Sequence, residues 1–313
     1  MDPEPGERRR RRRATDPVTL PPDVPVDRRT PTEVVAVLGV GVSVLTTPRA
    51  LDRVSSMVER GATGTVAFAN AHLLTLASQD PAVREALQRT AMILNDGAGV
   101  AWAAKVKGAE FPENLNGTDF LPKLLERAAA AGWRVALLGA APGVADRAAV
   151  ALRGRCPGLQ VCFADHGYFD RGRSDEVAAR VRASRPDVLL VALGNPRQEL
   201  WLDQNLAATG ATVGVSVGAF LDFSAGEARR APRVVRALSL EWAWRLLHEP
   251  RRLFHRYVVG IPVFRSRVRR DAADPLPGHP ARRADDEPRE RAPRSYRGAA
   301  PASDSQADRH RSA

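Results

Sequence analysis

The chain has 313 residues, 44% hydrophobic and 27% charged, enough for one good-sized α/β core with tails or for two small domains. Its 47 Lys and Arg against 36 Asp and Glu give a formal net charge of +11, so an anionic partner is expected: nucleic acid, anionic lipid or a phosphorylated substrate. Two cysteines, Cys156 and Cys162, exclude a disulfide framework or a zinc cluster, and no apolar run reaches the about 20 residues that span a bilayer. The N-terminal arginines are not followed by an apolar segment, so they do not read as a signal peptide, and any membrane contact is expected to be peripheral.

Residues 1–32 are rich in Pro and Arg without periodicity and read as a disordered basic tail. Their run Arg8–Arg13 suits either anionic headgroups or plain solvation. An alternating pattern then begins. Apolar runs at 34–38, 65–69, 135–139, 159–163, 188–193 and 212–217 predict buried parallel strands. Helical stretches at 48–60, 73–89, 119–131, 144–153, 174–184 and 198–208 follow them. This alternation predicts an α/β fold: a Rossmann-like, mostly parallel sheet flanked by helices, over residues 33–227. After Ala231-Pro232 the pattern changes to a helical Arg/Leu/Trp segment. Residues 228–268 therefore read as a helical appendage and 269–313 as a second disordered tail. Removal of everything after about Arg230 is expected to spare the fold and abolish activity.

In sheets of this kind ligands bind beyond the carboxyl ends of the strands, so the residues there carry the candidates. Asp96, in Asn95-Asp96-Gly97-Ala98-Gly99, is placed to act as a general base, although a carboxylate capping the next helix gives the same pattern. Gly139, in Gly139-Ala140-Ala141-Pro142-Gly143, opens a turn that could hold a phosphate or ribose on backbone N–H groups, or be an ordinary βα turn. Gln198, after Gly194-Asn195-Pro196-Arg197, could bind a sugar or uracil or merely begin a helix, and Asp222 is similarly placed. In the appendage, Arg245, Arg252 and Arg256 fall at helical spacings beside Trp242, Trp244, Phe254 and Tyr257. Arginine forks suit a diphosphate, and basic plus aromatic is the profile of an interfacial helix, although an ordinary surface helix packing on the core or a nucleic-acid patch gives the same pattern. Residues 228–270 hold twelve Arg against Glu241 and Glu249. The core has no Asp-x-Asp, and its His and Cys show no metal-ligand spacing, so neither metal nor cofactor is expected.

Taken in order, these markers resemble the WecG/TagA/CpsF family, glycosyltransferase family 26, from about Val35 to Phe264. The markers include Ala69-Asn70-Ala71-His72, Leu94-Asn95-Asp96-Gly97-Ala98-Gly99, His166-Gly167-Tyr168-Phe169, Gly194-Asn195-Pro196-Arg197-Gln198-Glu199, Gly218-Ala219-Phe220-Leu221-Asp222 and Arg251-Arg252. The resemblance implies an inverting, metal-independent transferase. It would move a hexose or N-acetylhexosamine, of the N-acetylmannosamine type, from a UDP-sugar to a polyprenyl-diphosphate-linked sugar. The products of such enzymes are teichoic acid or other cell-surface polysaccharide. It implies Asp96 as base, Asn70 and Gln198 in the substrate pocket, and Arg245 and Arg252 on the diphosphate. A further family arginine aligns with His255, and the resemblance implies the neighbouring Arg256 as its replacement.

Two departures concern substrate contacts. Phe68 stands where the family often has Thr, and Asn114 where it commonly has Arg. The implied site of action is the cytoplasmic face of the cell membrane, against anionic lipid, with a homo-oligomer possible and no nucleic acid bound. Other readings of the residues are a Rossmann-type nucleotide-binding enzyme of another class and a basic nucleic-acid-binding protein. The absence of Gly-x-Gly-x-x-Gly with an acidic ribose ligand counts against the former.

Overall fold

The computed structural model describes residues 34–227, 241–248 and 258–273, together with residues 232, 235 and 254. Both expected tails, apart from 269–273, fall outside the described residues, as do Arg252 and Arg256 and the side chain of Arg245.

Six strands form one all-parallel sheet: β3 (Gly64–Ala69), β4 (Met92–Asn95), β5 (Arg134–Gly139), β6 (Gln160–Asp165), β7 (Val188–Ala192) and β8 (Val213–Ser216). Their order is β4-β3-β8-β7-β5-β6. Every neighbouring pair is parallel, which confirms the Rossmann-like α/β architecture. Central strands covered on both faces need continuous apolar runs, and all five residues of β7, Val-Leu-Leu-Val-Ala, are buried.

Side chains alternate between the two faces with a period of two. Val135 and Leu137 of β5 and Val188 and Leu190 of β7 join the core under α1 (Thr47–Arg60), α5 (Gly117–Ala131) and α6 (Val144–Arg155). Ala136, Leu138, Leu189 and Val191 face the opposite layer, against α7 (Ser174–Ala183) and α8 (Arg197–Thr209). On that same side, Ala67 and Ala69 of β3 meet α2 (Ala71–Gln79), α3 (Pro81–Arg89) and α4 (Ala98–Val106).

Three elements differ from the sequence expectation. The run at 34–38 is not a parallel strand: β1 (Val34–Val37) pairs antiparallel with β2 (Val40–Ser43) in a separate hairpin. Leu38 and Gly39 have φ of 52° and 78°, the paired left-handed residues of a tight hairpin turn. The helix expected over 73–89 is two helices broken at Asp80, because proline at 81 drives the residue before it to extended backbone (φ −117°, ψ 111°). Asp80 then caps α3, its side chain accepting from Ala82 N at 2.9 Å.

The third difference lies at the far end. The helix Gly260–Ala273 continues past residue 268, where a tail was expected to begin. Phe264 and Val268 are fully buried against the core that holds Leu73 of α2 and Val100 of α4. Asp271, also buried, accepts from Leu38 N at 2.9 Å and pairs with Lys107 Nζ at 2.7 Å. These partners lie far away in sequence, so local composition did not show them. Removal of everything after about Arg230, which the sequence reading expected to spare the fold, would strip this helix from the core and uncover Leu73 and Val100.

Candidate active site

A cleft of about 850 Å³ opens beyond the carboxyl ends of all six parallel strands. Asn70 and His72 come from the end of β3, Asp96 follows β4, and Ala140 and Ala141 follow β5. Gly167 and Tyr168 follow β6, Leu193 to Asn195 follow β7, and Val217 to Ala219 follow β8. Such a volume is in the range of small-molecule and cofactor sites.

Asn70, Asp96, Gln198 and Asp222 all line this one cleft. Gly139 does not, although the adjacent Ala140 and Ala141 do. Its role is steric: at φ 142° a Cβ on Gly139 would lie 2.4 Å from Ala192 O. Only glycine lets β5 leave the sheet there, after which Ala140 N donates to Ala192 O at 2.9 Å. Arg245 lies in the helix Glu241–His248, and Arg252 and Arg256 lie outside the described residues.

Asp96 is held by its backbone. Its N–H donates to Ala69 O at 2.8 Å, tying the end of β4 to the residue before Asn70. On either side, Asn95 Nδ2 donates to Glu113 O at 2.8 Å, and Gly97 N donates to Asn114 Oδ1 at 2.9 Å. Gly97 has φ 93°, which a residue with a side chain would adopt only under strain. Glu113 is fixed in turn by Thr47, which donates through N at 3.1 Å and Oγ1 at 2.5 Å. That hydroxyl is the main cause of a Glu113 pKa below its ordinary value.

Asn70 caps α2, its Oδ1 accepting from Leu73 N at 3.0 Å. With Oδ1 engaged in the cap, Nδ2 is the atom left to donate to a ligand. Gln198 is buried: its Oε1 accepts from Gly218 N at 3.1 Å and its Nε2 donates to Glu199 Oε1 at 2.7 Å. It therefore ties the loop after β7 to the loop after β8 across the floor of the cleft.

Glu199 was quoted within a sequence motif but given no role. It is 5% exposed, and Asn195 Nδ2 also donates to its Oε1 at 2.8 Å. Burial pushes its carboxyl up to about 7, against the hydrogen bonds from Gln198 and Asn195 that favour the charged form. The nearby Ser216 hydroxyl also favours the charge, yet neither Ser216 Oγ nor Glu199 Oε2 completes a hydrogen bond. A proton on Oε2 would add a second donor to the Ser216 O–H between these two buried oxygens.

Arg197 and Thr118 also line the cleft without having been singled out. Arg197 donates to Phe169 O at 3.0 Å and stacks 5.1 Å from the Phe169 ring centroid. Thr118 follows the Asn116 cap of α5, a capping pattern that was present in the sequence. Phe68 lies in the wall beside Asp96, backed edge-on by Phe120 at 5.9 Å. Among the described residues, no group of three or more His, Cys, Asp or Glu could share a metal ion.

A family model described as glycosyl transferase WecG/TagA/CpsF family matches residues 35–276. The chain belongs to this family. The WecG/TagA/CpsF match spans both the parallel sheet and the helix that closes onto it. A relative from Staphylococcus aureus (strain MW2) is 28% identical over 245 residues, covering 78% of this chain and 95% of the relative. It is named N-acetylglucosaminyldiphosphoundecaprenol N-acetyl-beta-D-mannosaminyltransferase. A relative of the same name from Bacillus spizizenii (strain ATCC 23059 / NRRL B-14472 / W23) is 32% identical over 199 residues, covering 64% of this chain and 76% of the relative. As a WecG/TagA/CpsF member, the chain is a glycosyltransferase by family. No described helix is long and apolar enough to cross a membrane.

Proposed function

We propose that this glycosyltransferase moves an N-acetylmannosamine-type sugar from UDP to a sugar on a polyprenyl diphosphate, with inversion and without a divalent cation. The observation that carries this reading is the meeting of Asp96 and Asn70 in one cleft, at the mouths of neighbouring strands, in a chain whose relatives bear that transferase name. In this scheme the Asp96 carboxylate takes the proton of an acceptor hydroxyl. The oxygen attacks the anomeric carbon as the bond from that carbon to the β-phosphate oxygen breaks, and UDP leaves with the bonding pair. One in-line displacement inverts the anomeric configuration. Asn70 Nδ2 orients a sugar, and Gln198 holds the floor loops on which the donor rests.

Arg245, Arg252 and Arg256 supply the countercharge to the departing diphosphate. The basic, aromatic appendage brings the enzyme against anionic lipid at the inner face of the membrane, where the acceptor is presented for teichoic acid or related surface-polymer synthesis.

Incubation with UDP-N-acetylmannosamine and a short-chain lipid-diphosphate N-acetylglucosamine, in the presence of EDTA, tests the reading through UDP release. Turnover is expected. No release with any of a panel of UDP-sugars, or a strict need for Mn²⁺ or Mg²⁺, would overturn it.

A further inference from the structure

We propose that Asn114 is a positioning residue for the transfer reaction, holding the Asp96–Gly97 turn in its working geometry from outside the cleft. This rests on the role of Asp96 given above. Asn114 does not line the cleft; its Oδ1 instead accepts from Gly97 N at 2.9 Å. That N–H belongs to the N-cap residue of α4, and α4 has no side-chain cap of its own. Without Asn114 the donor loses its protein acceptor, at a glycine whose backbone has wide conformational freedom.

The acceptor is itself held firmly. Leu115, the next residue, is 2% exposed, and Glu113, the one before, is bonded to Thr47 at the start of α1. Glu113 also receives Asn95 Nδ2 on its carbonyl. The segment 113–115 is thus a fixed brace that grips the turn on both sides of Asp96, once through Asn95 and once through Gly97. The first grip uses the main chain of the brace and survives substitution there. The second depends on the Asn114 side chain, so Asn114 sets how tightly the carboxylate of Asp96 is aimed. Asn114 is exposed, so its replacement removes this grip without opening the core.

The test compares Asn114→Ala and Asn114→Asp with the wild-type full chain, using UDP-N-acetylmannosamine and a short-chain lipid-diphosphate N-acetylglucosamine. Misaiming a catalytic group by about 1 Å lowers turnover roughly a hundredfold, so Asn114→Ala should lose about ten- to a hundredfold in kcat with KM changed less than about twofold. Asn114→Asp keeps an acceptor oxygen and should recover most of kcat. Hydrogen exchange at the Gly97 amide should quicken in Asn114→Ala and remain slow in Asn114→Asp. Wild-type kcat in Asn114→Ala, an Asp variant as weak as the Ala variant, or unchanged Gly97 exchange would each overturn the proposal. An inactive wild type would instead overturn the functional reading and the catalytic part of this role with it. The amide exchange would then still decide whether Asn114 holds the turn.

Discussion

Replacing Glu199 by Gln should flatten part of the pH dependence of stability. The Glu199 carboxyl is pushed from an ordinary value of 4.5 up to about 7 by burial. Between those values the folded protein holds a proton that the unfolded chain has released. Stability from this group is therefore fully present below 4.5 and is lost as pH rises through about 7. A shift of that size corresponds to about 3 kcal/mol, most of which is lost between pH 5 and pH 8. Gln keeps a carbonyl oxygen for Asn195 and Gln198 and turns an Nε2 donor toward the side of Ser216 Oγ, which completes no hydrogen bond beside the carboxylate. Urea unfolding of wild type and Glu199→Gln at both pH values isolates this one group, because other titrations cancel in the comparison. The variant should gain on the wild type by roughly 2 to 3 kcal/mol from pH 5 to pH 8. A stability difference that stays constant, or that moves in favour of the wild type toward pH 8, would refute the reasoning.

Asp96→Asn should lower transfer by about a hundredfold or more while leaving UDP affinity within about twofold, measured by UDP release and calorimetry. Gly139→Ala should destabilise the fold by at least about 2 kcal/mol in urea unfolding, since the new Cβ would lie 2.4 Å from Ala192 O at a φ of 142°. Lys107→Met should cost about 3 kcal/mol, because it leaves the buried Asp271 carboxylate without its 2.7 Å ammonium partner. The same unfolding assay reads it, and a loss under about 1 kcal/mol would show that the remaining contacts of Asp271, Leu38 N–H among them, compensate.

The parallel sheet was legible because strands covered on both faces must be apolar throughout, and runs such as Val188–Ala192 have no other use in so charged a chain. The hairpin of β1 and β2 was not. Val37, Val40 and Val42 are fully buried too, so its strands look like the others, and its turn is Leu38-Gly39 in place of the usual Asn-Gly. Helix α4 was legible only as a helix beginning after Asp96, and its extent was not, because Ala98–Val106 is dominated by small residues with little contrast between faces. At the site, Asp96 and Asn70 stood out as polar residues at the ends of apolar runs, and the cleft contains both. Glu199 did not, since a glutamate in the first turn of a helix ordinarily reads as a solvated partner of the helix dipole. Asn114 could be seen only as a departure from a family pattern; its partner Gly97 is 17 residues away and bonded through the main chain.

The seating of the helix Gly260–Ala273 on α2 and α4 has a consequence for how the protein comes into being. The bond between Leu38 and Asp271 joins residues 233 positions apart. At about 5–20 residues per second, a ribosome needs roughly ten to fifty seconds to travel from one to the other. From their own synthesis until residue 273 is made, the helices that begin beside Asn70 and Asp96 carry an uncovered apolar flank. The newborn chain therefore reaches competence only after the helix Gly260–Ala273 has been made, and until then it presents a surface that a chaperone could shield.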